Sequence, residues 1–319
     1  MDEPRALLIA GPTCSGKSAI ALMLARRLGG TVINADSMQV YRELRVLTAR
    51  PTPEEEATVP HALYGVRPAA EAGSVAWWRG TALAEMERAR AAGRLPILCG
   101  GTGLYFLSLT KGLAEIPDPG EGARAEARAL LSELGAAGLH ARLGAADPAT
   151  AARLSHADSQ RIARAWEVWR GTGRGLAEWQ AEAQAASAPW RFTAILLAPP
   201  RAALRDAVTA RFAAMLQAGA LEEVRALLAL GLDPALPAMR AHGVPELAAH
   251  LRGEVALDEA ARRAILATGR YVKRQTTWFR HHSLASTGHT HTIHARIAGL
   301  TQFSEQRLSE FVTFVRHDG

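Results

Sequence analysis

Cysteine is almost missing from this 319-residue chain: Cys14 and Cys99 are the only two. That excludes a disulfide-stapled scaffold and reads as two free thiols in a reducing compartment, the cytoplasm by default. Long apolar runs are missing as well. None approaches the roughly 20 residues that cross a bilayer, so no membrane association is expected. The acidic start Met1-Asp2-Glu3-Pro4-Arg5 does not resemble a signal peptide. Acid itself is absent from one stretch. From Ala260 to Ser304 there is no Asp or Glu, while Arg262, Arg263, Arg270, Lys273, Arg274, Arg280 and Arg296 fall there. On a chain of net charge +6, that is a basic patch suited to a phosphate-bearing partner. No internal repeat is evident.

What is present begins with a buried strand, Arg5 to Ala10, running into Gly11-Pro12-Thr13-Cys14-Ser15-Gly16-Lys17-Ser18 and then into a helix from Ser18 to Leu28. This is G-x-x-x-x-G-K-[ST] in its proper strand–loop–helix context. Gly16 lets backbone N–H groups wrap phosphate oxygens, the helix N-terminus favours an anion, Lys17 adds a cation, and Ser18 can ligate magnesium. A loop of this kind fits any diphosphate, ATP included. Thr31 to Ala35 reads as a second strand delivering Asp36-Ser37-Met38-Gln39. A short strand is expected near Leu63 to Val66, a helix over Trp77 to Ala92, and a further strand over Leu95 to Cys99 ahead of Gly100-Gly101-Thr102-Gly103. Strands alternating with helices predict an α/β fold: a P-loop NTPase-like parallel sheet flanked by helices, with ligands at the C-terminal strand ends.

One absence matters here. P-loop NTPases hold magnesium through an Asp at the end of a neighbouring strand, and the strand Leu95 to Cys99 ends in glycines instead. Asp36 is the nearest acid; it can ligate magnesium, act as a general base, or cap the helix that follows. From about Glu115 to Pro189 the chain turns Ala- and Arg-rich and helical in propensity. The expected organisation is an α/β core over 1–114 and 191–282, an α-helical insert domain over 115–190, and a tail over 283–319 that is mobile from Ser283 to Thr301. Arg201 to Leu230 reads as strongly helical, and a helix is expected from about Asp258 to Arg280. On that helix Ile265, Val272 and Phe279 share a stripe, with Arg263, Arg270 and Arg274 opposite and Arg262, Lys273 and Arg280 on the flank. Trp166 and Trp169 read as core of the insert. His289, His291 and His294 have a loose metal-like spacing that is read as no site.

The P-loop, Asp36-Ser37-Met38-Gln39 and Gly100 to Tyr105 together resemble the tRNA dimethylallyltransferase (tRNA isopentenyltransferase) family. The resemblance extends to Leu47-Thr48-Ala49-Arg50-Pro51, the helix Gln160 to Val168, Arg211-Phe212, and Lys273 to Arg280, in family order over roughly residues 5 to 282. It implies transfer of a dimethylallyl group from its diphosphate to N6 of adenosine 37 beside the tRNA anticodon, with magnesium. Asp36 would accept the amine proton, Thr102 would orient the base, and Arg211 with Thr13, Lys17 and Ser18 would stabilise the departing diphosphate. Asp36, Ser37, Met38, Gln39, Thr102, Arg124, Gln160, Arg161, Ile162, Ala163, Arg164, Arg270, Lys273, Arg274 and Arg280 would contact tRNA. A monomer is expected. This chain departs from the family pattern with Gly243-Val244-Pro245 where Gly-Tyr is common, Arg50 for lysine, Leu47 for glycine and Cys14 for alanine. The alternatives are an adenylate isopentenyltransferase on free nucleotide, a P-loop small-molecule kinase, and a non-catalytic RNA-binding protein.

Overall fold

The structure, a computed structural model, describes residues 3–182, 186–299 and 305–317. The chain divides into two compact units, Met1–Thr110 with Ser187–Gly319, and Lys111–Ala186. The first unit is built on six strands: β1 (Arg5–Ala10), β2 (Gly30–Asn34), β3 (His61–Ala62), β4 (Leu95–Gly100), β5 (Arg191–Leu197) and β6 (Thr290–Ile293). They lie in the order β3-β2-β4-β1-β5-β6, and every pairing is parallel. β1, β2 and β4 are buried over nearly their whole length, because crossover helices cover both faces of a parallel sheet. Their alternation splits the core in two. Leu7 and Ile9 pack on one face with Ile20, Leu24 and Phe311. Leu8 packs on the other with Trp78, Phe106 and Phe212.

In chain order the helices are α1 (Lys17–Leu28), α2 (Pro53–Thr58), α3 (Val75–Ala91), α4 (Gly103–Thr110), α5 (Gly120–Ala146), α6 (Pro148–Ala151), α7 (Ser159–Thr172), α8 (Leu176–Glu182), α9 (Arg201–Gln217), α10 (Ala220–Ala229), α11 (Val244–Leu251), α12 (Leu257–His281) and α13 (Glu305–His317). The helices of the second unit, α5 to α8, bury Ala127, Leu130, Leu139, Leu143, Ile162 and Trp166 together. Trp169 packs against that cluster, with its ring 5.1 Å from that of Trp166.

Two expectations are corrected and one is refined. The short strand is at His61–Ala62, not Leu63 to Val66, because pairing with Val32 and Ile33 ends where Leu63 turns to φ 65°. The helical reading of 201–230 holds, as two helices parted at Gly219, whose φ of 94° suits glycine. Most consequentially, 283–299 is not a loose tail. Thr290 to Ile293 pairs with Ala194 to Leu197 as the sixth strand, and Ile293 and Ile297 are buried. Thr and His at Thr290, His291 and Thr292 conceal this strand in the sequence. On a sheet edge only Ile293 must be fully apolar.

In the turn from 45 to 50 the Arg45 and Val46 carbonyls accept from the N–H groups of Arg50 and Ala49, and the N–H groups of 45 to 47 are held by a side chain. The Glu223 carboxylate on α10 accepts the N–H groups of Arg45 (2.7 Å), Val46 (2.7 Å) and Leu47 (2.9 Å). Glu223→Ala leaves those donors without this acceptor and destabilises the protein by about 2–3 kcal/mol. Chemical denaturation reads the loss, and an unchanged midpoint rules the anchor out.

Candidate active site

In a parallel sheet all strands end on the same edge, so the loops after β1, β2, β4 and β6 converge. The P-loop follows β1. Its Gly16 takes φ 98° at the start of α1, and a Cβ there would overlap the Ile297 carbonyl. Lys17 folds back so that its Nζ donates to the Pro12 carbonyl at 2.8 Å. Burial pushes its ammonium below the ordinary range. Asp36 pulls the other way, and Arg211 adds to the depression. A cation this desolvated gains most from an anion placed beside it. Cys99 itself is pushed up to about 12 by burial, which keeps it a thiol and removes it as a nucleophile.

Asp36 sits where β2 ends. Asn34, fully buried, shapes this corner: its Oδ1 accepts from Asp36 N–H at 2.8 Å, and its Nδ2 donates to the carbonyls of Asp36 (2.9 Å) and Leu63 (3.1 Å). The Trp78 indole N–H fixes Asn34 in turn through its carbonyl at 2.8 Å. Asp36 Oδ1 accepts from Met38 N–H at 2.9 Å, so one oxygen does cap the turn. The other takes no hydrogen bond from the described residues, and Asp36 lines a cavity. The Thr102 hydroxyl accepts from Ser37 N–H at 2.9 Å and lies 3.3 Å from the Ser37 hydroxyl. This ties the β4 loop to the β2 loop. Gly100 is required there because any Cβ would run into the Ala35 backbone. Gln39 is turned inward to the carbonyls of Thr48 and Ala49.

The cavity joins these parts. Thr13 and Arg211 lie in its wall with Asp36, His242 and Tyr271, among the apolar side chains of Leu47, Val208, Phe212 and Met215. Leu47 thus contributes an apolar wall. Arg211, on α9, donates to the Thr48 carbonyl at 3.2 Å and also lines a second cavity of about 290 Å³ at the P-loop with Lys17 and Ser18. Tyr271 has its phenol raised by burial and by Asp36, against hydrogen bonds with Thr102 and Gln275, so it stays protonated as a donor.

Two residues at this site gain a role only in the structure, although Gln275 lies within the Lys273 to Arg280 segment that carries the family resemblance. Gln275 on α12 is buried; its Oε1 accepts from Thr13 N–H at 2.8 Å and its Nε2 donates to the Gly101 carbonyl at 2.9 Å. It is the strut between the P-loop and the β4 loop. His242 lines the cavity with its ring 5.0 Å from that of Tyr271. Burial lowers its pKa; Glu246 and Asp36 oppose this, and Arg274 reinforces it. The folded state therefore binds fewer protons than the unfolded chain. This stability is present above the ordinary imidazole value, about 6.5, and is lost as pH falls toward the folded value. Between about pH 7 and pH 5 the melting temperature of the parent should fall more steeply than that of His242→Gln. Parallel curves would exclude the effect.

On α12, Val272 and Phe279 are buried and Ile265 partly so, while Arg270, Lys273, Arg274 and Arg280 are exposed. Arg262 and Arg263 are both paired to Glu259 at 2.7 Å, an acid just before the acid-free stretch, so the uncompensated charge lies toward the C-terminal half of the helix. In the second unit Gln160, Arg161 and Arg164 are exposed on α7. Arg161 lies 3.5 Å from Asp158, Arg164 lies 3.2 Å from Glu167, and Arg124 on α5 lies 2.5 Å from Asp118. Ala163 is partly buried. Ile162 is corrected: its side chain is 0% exposed in the core of this unit, so it packs the helix and cannot itself touch RNA. Among the described residues no group of three or more His, Cys, Asp or Glu is placed to hold a metal, and His291 packs against Phe311 and Phe314.

An anion cradle sharing a cavity wall with a carboxylate, on the C-terminal edge of a parallel sheet, defines a P-loop α/β enzyme. Within that class the chain belongs to the IPP transferase family, whose model matches residues 39–282; a model described as isopentenyl transferase matches residues 4–64. It is 62% identical over 316 residues to the tRNA dimethylallyltransferase of Granulibacter bethesdensis, covering 99% of each chain. It is 62% identical over 314 residues to that of Gluconacetobacter diazotrophicus, covering 98% of this chain and 94% of the other. The crystal structure of the full-length tRNA isopentenylpyrophosphate transferase of Bacillus halodurans is similar, with a TM-score of 0.69 and 31% identity over 99% of this chain and 96% of that one. A eukaryotic dimethylallyltransferase acting on tRNA shares the fold at a TM-score of 0.78 and 22% identity, over 99% of this chain and 79% of that one.

Proposed function

We propose that the chain transfers the dimethylallyl group of dimethylallyl diphosphate to N6 of adenosine 37 in tRNA, giving N6-isopentenyladenosine. The observation that carries this is an apolar-walled cavity in which Thr13 and Arg211 meet Asp36. A diphosphate on the P-loop would leave its five-carbon chain against Leu47, Val208 and Phe212. The acceptor nitrogen attacks C1 of that chain, the C1–O bond breaks with its electron pair going to the diphosphate, and the N6 proton passes to the free oxygen of Asp36. Lys17, Arg211 and the loop N–H groups stabilise the growing negative charge. Thr102 and Tyr271 orient the base.

Magnesium fits this cradle: the Ser18 hydroxyl lines the P-loop cavity and makes no hydrogen bond with the described residues. Bound there, the ion would neutralise diphosphate charge. A base in a stacked anticodon loop must be extruded to be reached, which calls for a grip on the surrounding RNA. The exposed cations Arg270, Lys273, Arg274 and Arg280 of α12, and Gln160, Arg161, Arg164 and Arg124 of the second unit, are suited to it. Among the described residues no helix is long and apolar enough to cross a membrane, and a cytoplasmic monomer is the state proposed.

The test is incubation of the purified chain and magnesium with unmodified tRNA and dimethylallyl diphosphate, followed by nucleoside mass analysis. Prenylated adenosine from tRNA and none from AMP is the expected result. Product from AMP would move the chain to the free-nucleotide enzymes. ATP consumed with no prenylation would make it a kinase.

A further inference from the structure

Among the described residues the P-loop cavity is lined by three cations, Lys17, Arg211 and Arg296, and by no carboxylate. Arg296 is unexpected there. It lies in the stretch first read as a tail and outside both ranges matched by family models. The sheet brings it in. Because β6 runs parallel to β5, the chain leaves Ile293 on the same edge as the P-loop. It then straps the loop: Ile297 N–H donates to the Ser15 carbonyl at 3.0 Å, and Arg296 Nε donates to the Cys14 carbonyl at 3.1 Å. Glycine at position 16 lets the Ile297 backbone sit against the loop. The two terminal nitrogens of Arg296 make neither a hydrogen bond nor an ion pair with the described residues.

We propose that Arg296 is a diphosphate-binding residue, held to the P-loop through Nε and offering its terminal nitrogens to the phosphate oxygens. The assignment rests on the reading of the loop as a diphosphate site. Three clustered cations repel one another unless a multiply charged anion lies among them, and a guanidinium fork matches two phosphate oxygens at once. The strap also couples the closing strand of the sheet to the leaving group, so diphosphate occupancy and docking of 294–297 reinforce each other.

Isothermal titration of the full-length chain with inorganic pyrophosphate, at fixed magnesium, tests this on the parent, Lys17→Ala, Arg296→Gln and Arg296→Lys. Arg296→Gln should weaken pyrophosphate binding about tenfold or more and raise KM for dimethylallyl diphosphate in step. KM for tRNA and the melting temperature should hold. Arg296→Lys should recover part of the affinity by restoring the charge. Parent-like pyrophosphate binding by Arg296→Gln, with binding lost in Lys17→Ala, would overturn the role of Arg296 alone. A fall in melting temperature with both KM values raised alike would make Arg296 a structural strap only and overturn it too. Parent-like binding by Lys17→Ala, or none by the parent, would remove the diphosphate reading of the loop and this inference with it.

Discussion

Asp36→Asn should lower kcat for tRNA prenylation by about 10²- to 10⁴-fold while pyrophosphate binding stays at the parent level. Asparagine is the informative substitution because Asp36 does two things at once. Its Oδ1 accepts from Met38 N–H, and an asparagine carbonyl can keep that bond and the turn it closes. The second oxygen, free of hydrogen bonds from the described residues, is replaced by an NH₂ group that cannot take a proton. The comparison therefore separates base from cap. Asp36→Ala removes both roles and should add a loss of stability of about 0.5–2 kcal/mol. Quench-flow measurement with saturating substrates reads the chemical step. If Asp36→Asn keeps kcat within twofold while Asp36→Ala loses it, Asp36 only caps and the base lies elsewhere.

Gln275→Leu is expected to be nearly as damaging, although Gln275 lies on the helix α12 and in none of the loops at the strand ends. Among the described residues Gln275 alone satisfies the Thr13 N–H and the Gly101 carbonyl across the site. Leucine matches its bulk and strands both groups in a buried place, at about 1–3 kcal/mol each. The melting temperature should drop on the order of 5–10 °C. With the strut gone, the P-loop and the Thr102 turn are no longer held in register, so kcat falls beyond what the stability loss explains. Gln275→Glu retains the acceptor for Thr13 but not the donor to Gly101, and should fall between the two. Wild-type kcat in Gln275→Leu at a temperature where it is fully folded would show that the strut does not position the site.

The parts of the site that were readable are those where chemistry is local in the chain. Gly11 to Ser18 encode an anion cradle because consecutive backbone N–H groups and one helix terminus supply it. The alternation of apolar strands with helical spacing fixes a parallel α/β sheet for the same reason: each element states its own periodicity within ten residues or so. The stripe of Val272 and Phe279 told which side of α12 is buried. Even Asp36, open between base, ligand and cap, lies at the expected strand end; the cap shows only in the Met38 hydrogen bond, and the base is what Asp36→Asn tests.

What tertiary structure decided are contacts between distant segments that leave no pattern in either one. Gln275 lies 262 residues from the Thr13 it braces, and Arg296 lies 282 residues from the Cys14 it holds. In sequence they are an ordinary helix glutamine and an ordinary arginine. Thr290 to Ile293 shows too little apolar alternation to announce a strand; the exposed edge of β5 recruits it by backbone hydrogen bonds that any side chains permit. Arg262 and Arg263 belong to a basic run in the sequence, yet Glu259 one helical turn away pairs with both. Local order alone determined the cradle, the sheet and the identity of the charged groups. The fold determined which of those groups face one cavity, because burial and partnership belong to pairs of segments and not to either segment by itself.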